Sequence, residues 1–204
     1  VAKQEPAGLY LIVETSGNGL ERLQAVMSAV RCASVLIRPV AGGTLDATAV
    51  RPFVELIQAR DAAALLEDDV RLARTLRADG VHLTHSDTLE ARFSEAREIL
   101  GQRAIVGAEA GGLRHDAMML GEAGAEYVAF TGGVDAADVV QWWAEIFEIP
   151  CVAIGADQPT DFSELAQAGA DFVVIDLPSQ GSPEAAVAYV QQCVQALTAQ
   201  LVAE

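Results

Sequence analysis

Ala78-Asp79-Gly80-Val81, Gly124-Ala125-Glu126-Tyr127-Val128 and Gly169-Ala170-Asp171-Phe172-Val173 are three copies of one junction. Each ends an amphipathic helical stretch with small residues, carries an acid, and runs into an apolar, β-branched segment. Val81, Val128 and Val173 lie 47 and 45 residues apart. That distance holds two strand–helix units with short loops. A closed parallel barrel whose strands alternate in layers has this period, whereas an open doubly wound sheet need not.

Working outward, apolar runs recur at 9–13, 34–37, 62–66, 81–83, 104–106, 127–130, 151–154 and 172–175. Eight runs separated by helical spacing predict a single (β/α)8 barrel domain over residues 1–204. Helices are expected at 19–31, where Leu20, Leu23, Val26, Met27 and Val30 share a face, and at 183–201, opened by Ser182 and Pro183. The third connection, 70–77, leaves room for only two helical turns. In the helix expected at 136–146, one of Trp142 and Trp143 should pack on the barrel and the other stay partly exposed.

The chain has 204 residues, of which 51% are hydrophobic and 21% charged, an ordinary globular composition. Its formal charge of −16 repels nucleic-acid backbones and anionic membranes, so neither partner is expected. No apolar run is long enough to span a bilayer, and 1–7 lacks a secretory pattern, so the expected address is cytoplasmic. Cys32, Cys151 and Cys193 are too far apart for a Cys-x-x-Cys site and read as reduced thiols. Lys3 is the only lysine, which removes almost every candidate for amine chemistry. Self-association is left open.

In this architecture chemistry sits beyond the C-terminal ends of the strands. That rule selects Glu14, Arg38, Glu67, Asp68, Asp69, His82, His85, Asp87, Glu109, Arg114, Thr131, Asp135, Gly155, Asp157, Asp176 and Ser179. Asp68 and Asp87 follow neighbouring strands and could share a hard divalent cation, with Arg38 facing the anion it carries. Their alternative is that each caps the helix that follows it. His82 lies mid-strand and reads as a packed, hydrogen-bonded histidine, with His85 expected on the same face. No third ligand stands at motif spacing, which argues against zinc. Gly132-Gly133 could open a backbone nest for phosphate. The last two loops carry acids, and no arginine follows Arg114, so a strong phosphate site there is not expected.

Leu66-Glu67-Asp68, Ala78-Asp79-Gly80-Val81-His82-Leu83 and the downstream Asp87 resemble thiamine-phosphate synthase and its TenI-type relatives. Leu9-Tyr10-Leu11-Ile12-Val13, Ile37-Arg38, Ile105-Val106-Gly107, the Gly124 junction and Ile149-Pro150-Cys151-Val152-Ala153-Ile154-Gly155 keep the register along almost the whole chain. The resemblance implies joining of a pyrimidine pyrophosphate to a thiazole phosphate with release of pyrophosphate. Arg38, Asp68 and Asp87 match three of the family's positions, which implies Mg²⁺ on the two aspartates and Arg38 on the pyrophosphate. A synthase built on this chain would add Glu67 as a catalytic residue and Glu109, Thr131, Gly132 and Gly155 against the small phosphorylated substrates.

The chain departs from the family pattern at named positions. The family's glutamine and lysine flanking the arginine are Leu36 and Val40, and its asparagine before the first aspartate is Glu67. Its Ser-Thr-His after strand five is Glu109-Ala110-Gly111, and its Gly-Pro after strand six is Thr131-Gly132. The second glycine after strand seven is Ala156, and the Val-Ser after strand eight is Asp176-Leu177. Two readings follow from these exchanges: a divergent synthase in which Arg114 replaces a lost lysine, or a paralogue without synthase activity that binds a small molecule or a partner.

Overall fold

The computed structural model describes residues 7–198. Eight parallel strands close in sequential order: β1 (Gly8–Glu14), β2 (Ser34–Arg38), β3 (Ala63–Glu67), β4 (Gly80–Leu83), β5 (Ile105–Glu109), β6 (Tyr127–Thr131), β7 (Cys151–Ile154) and β8 (Phe172–Asp176). Between them run α1 (Gly19–Ala29), α2 (Ala47–Gln58), α3 (Val70–Leu76), α4 (Leu89–Leu100), α5 (Arg114–Glu122), α6 (Ala137–Ile146), α7 (Pro159–Gln167) and α8 (Pro183–Thr198). The eight runs of the sequence are the eight strands. The expected end of the last helix, at 201, lies outside the described residues.

Side chains alternate across each strand. Leu9, Leu11, Val13, Val35, Ile37, Ala64 and Leu66 face the helices, whereas Tyr10, Ile12, Leu36, Leu65, Tyr127, Ala129, Val152 and Val174 fill the barrel. The acids of the three repeated junctions have one shared task. Asp79 accepts the N–H of Ala64 at 2.8 Å, Glu126 that of Val106 at 2.7 Å, and Asp171 that of Cys151 at 2.9 Å. Each carboxylate thus satisfies a donor near the start of the preceding strand, where the chain enters the sheet.

The short α3 is as compact as the spacing predicts. It is capped by Asp69, whose side chain accepts from Leu72 N, and ends on Arg77 in the left-handed conformation. Trp143 is fully buried, donates from Nε1 to Ile149 O at 2.7 Å, and stacks on Phe147 with centroids 4.0 Å apart; Trp142 stays partly exposed. Among the described residues no helix is long and apolar enough to cross a membrane.

Candidate active site

Continuing the inward alternation to the last inward residue of each strand builds a ring at the C-terminal mouth. Its members are Glu14, Arg38, Glu67, His82, Glu109, Thr131, Ile154 and Asp176, placed by the pairings Glu14↔Arg38, Glu67↔His82 and Thr131↔Ile154. Four carboxylates therefore share the ring with one guanidinium. Arg38 Nη2 bonds Asp176 Oδ2 at 2.7 Å and approaches Glu14 Oε1 at 3.5 Å. Burial pushes the Asp176 carboxyl above its ordinary range in spite of that guanidinium.

His82 is 1% exposed and links the mouth to the barrel interior. Its Nε2 lies 3.2 Å from Glu109 Oε1, its Nδ1 lies 2.7 Å from the Tyr127 hydroxyl, and that hydroxyl lies 3.0 Å from the Tyr10 hydroxyl. A carboxylate only accepts, so Nε2 donates to Glu109. With Nδ1 accepting from Tyr127 and Tyr127 accepting from Tyr10, each hydroxyl has an acceptor. Burial pushes Glu109 up, but the hydrogen bonds from His82 and from the N–H of His85 outweigh it, so the group stands below its ordinary value. Burial holds both phenols well above theirs, as protonated donors.

Glu67 moves the other way, pushed up by burial and then by its neighbour Asp68. A raised value means that folding is opposed increasingly as pH climbs from the ordinary 4.5 through the folded-state value. Glu67→Gln is therefore expected to melt with the wild type below pH 4.5 and above it at neutral pH. Thermal denaturation across pH checks this; an offset independent of pH overturns it.

The cap reading of the two aspartates is corrected. Asp68 turns through a left-handed φ of 57° and leaves capping to Asp69. Its carboxylate instead accepts from Thr84 N at 2.9 Å and Thr84 Oγ1 at 2.6 Å, and pairs with Arg92. Asp87 precedes Thr88, which starts α4 without a side-chain cap bond. Asp68 is thus tied to the loop that carries Asp87, three residues beyond Thr84. His85 does not share the face of His82: it is exposed on that loop, with Nε2 3.3 Å from Asp116 Oδ2. Arg114 lies over the Trp142 ring, 4.7 Å from its centroid, and not among the mouth residues.

Gly132 and Gly155 take positive φ values of 120° and 100° in the loops after β6 and β7. These loops approach so closely that a Cβ on Gly133 would lie 2.4 Å from Gly155 O. Arg92 escaped the sequence reading, because an arginine in the first turns of a helix carries no signal of the loop it holds. Glu14 and Asp176, both selected by their place at the strand ends, are the last inward positions of β1 and β8, and their contact with Arg38 is what the sequence did not show.

A cavity of about 240 Å³ lies at the opposite end of the barrel, lined by Tyr10, Ser34, Leu65, Ile105, Tyr127 and Phe172. Its lining is largely apolar, and the phenol hydroxyls there are spent on each other and on His82. The ionisable chemistry belongs to the C-terminal mouth.

Fold and ring together define the class: a (β/α)8 barrel with a charged site at its C-terminal mouth. The sequence profile described as thiamine monophosphate synthase matches residues 9–175. A thiamine-phosphate synthase of Erythrobacter litoralis is 37% identical, over 83% of this chain and 86% of that relative. One from Rhodospirillum centenum is 42% identical, over 62% and 65%. The chain belongs to the thiamine monophosphate synthase family. In fold it is similar to a thiamine phosphate pyrophosphorylase from Pyrococcus furiosus, with a TM-score of 0.75 at 18% identity, covering 99% of this chain and all of the other.

Proposed function

We propose that this barrel joins a pyrimidine pyrophosphate to a thiazole phosphate and releases pyrophosphate. The observation that supports it most directly is Arg38, the one guanidinium among the inward residues of the mouth, on the strand next to β3 and the Asp68 turn. Breaking the carbon–oxygen bond leaves positive charge on the pyrimidine methylene and negative charge on the departing group. Arg38 meets the anion. Glu67 and Glu109, held inward on β3 and β5, favour the cation and orient the pyrimidine. Thr131, Gly132 and Gly155 supply a hydroxyl and close backbone approach on the far side of the mouth.

Among the described residues no three His, Cys, Asp or Glu side chains cluster as a ready-made metal site, so a magnesium ion here would be held largely by water and substrate, with two aspartates as its protein ligands. A carboxylate has about four acceptor positions. Asp68 spends three of them on Thr84 and Arg92, which leaves one for a metal. Asp87, exposed on the tied loop, would supply the second protein ligand, and the ion would neutralise pyrophosphate charge.

The test is Mg²⁺-dependent pyrophosphate release with both substrates, repeated with Asp87→Asn. Turnover that needs the metal and falls at least about tenfold in the variant is the expected result. A second reading, a binder that retains the scaffold, is favoured by the carboxylates already paired with Arg38. Absence of turnover in the wild type, with calorimetric binding of another small molecule, would establish it.

A further inference from the structure

We propose that Asp176 is an internal competitor for the anion at Arg38, and that it sets this chain's affinity for pyrophosphate low. The proposal rests on the reading of Arg38 as the anion-binding group. A guanidinium holds a phosphate bidentately at one of two edges, Nε with Nη2 or Nη1 with Nη2. Both edges use Nη2. That atom faces Asp176 at 2.7 Å and Glu14 at 3.5 Å, so its two hydrogens are directed at carboxylates.

The contact crosses the barrel's closing seam. Asp176 pairs with Ile12 of β1, and Arg38 pairs with Glu14, so the arginine reaches over β1 to a strand two places away. A partly exposed ion pair adds little to stability, and the side chains here are 29% and 48% exposed. The seam closes without it, through the ladder and through Leu177 N to Ile12 O at 2.9 Å. What the pair does change is the charge that an incoming anion meets. Pyrophosphate must displace Asp176 or settle beside it, and in either case the carboxylate opposes binding.

Calorimetric titration of the full chain with inorganic pyrophosphate tests this without the synthase reaction. Asp176→Asn keeps the shape and removes the charge, and is expected to tighten binding about tenfold, the size of one like charge removed at a few ångströms in a half-exposed site. The gain should vanish in the Arg38→Gln background. Glu14→Gln, which frees the other Nη2 hydrogen, should give a smaller gain and serves if Asp176→Asn does not fold. Equal or weaker binding in Asp176→Asn, or no measurable binding in any variant, overturns the proposal; weaker binding would make Asp176 a positioning residue. An undiminished gain without Arg38 also overturns it. Tighter pyrophosphate binding with no synthase turnover would remove the proposed reaction and leave this inference standing, while turnover with no gain would do the reverse.

Discussion

Arg38→Gln is expected to lower kcat/KM for pyrophosphate release by about 10²–10³-fold, the usual loss when one preorganised donor to a developing oxyanion is removed. No second guanidinium or ammonium stands among the inward residues of the mouth to take over the charge. Arg92 is committed to Asp68, Thr84 and Ser86, and Arg114 to Trp142. The fold should hardly notice the change, because partly exposed ion pairs contribute about 0–1 kcal/mol. Steady-state kinetics beside a thermal melt separate the two effects. If Asp176 competes for the guanidinium, the same substitution costs more in the Asp176→Asn background than in the wild type. A drop of less than about threefold would show that Arg38 does not bear the leaving group's charge.

Gly107→Ala is expected to destabilise the barrel by about 3–5 kcal/mol, combining overpacking with damage to buried hydrogen bonds. Gly107 pairs with His82 on one side and Tyr127 on the other, so the three form one row across β4, β5 and β6. Because the middle residue has no side chain, the two rings lean over it, with centroids 5.8 Å apart, and make the 2.7 Å bond from Tyr127 to His82. A Cβ at Gly107 would fall 1.9 Å from the Tyr127 ring. That ring borders the 240 Å³ cavity, but it cannot move into it without giving up its hydroxyl's contacts with both His82 and Tyr10. A fall of roughly 10 °C in melting temperature corresponds to such a loss in a chain of this size. A loss below about 1 kcal/mol would mean that the row is loosely packed and that Glu109 does not depend on it.

Arg38, Glu67, Glu109 and Thr131 are legible as mouth residues because each is the first polar residue after a continuous apolar run, at the C-terminal end of a barrel strand. Asp68 and Asp69 are not separable in that way. Both could cap α3, and only the left-handed turn at Asp68 shows that Asp69 takes the cap while Asp68 turns to Thr84 and Arg92. His82 reads correctly as a hydrogen-bonded strand histidine, yet its partners lie 27 and 45 residues further along the chain. Arg114 fits a lost lysine on paper and stacks on an indole in space.

The amino-acid order alone determined the eight strands, the short third helix, the barrel's two-unit repeat and the positions that reach the mouth. These follow from local periodicity, which each segment carries within itself. Closure of the barrel decided the rest. Bringing β8 against β1 sets Asp176 within reach of Arg38, and the row His82, Gly107 and Tyr127 joins Glu109 to the interior. Such contacts join residues far apart in the chain, and their geometry depends on backbone turns and neighbouring volumes that no single stretch encodes.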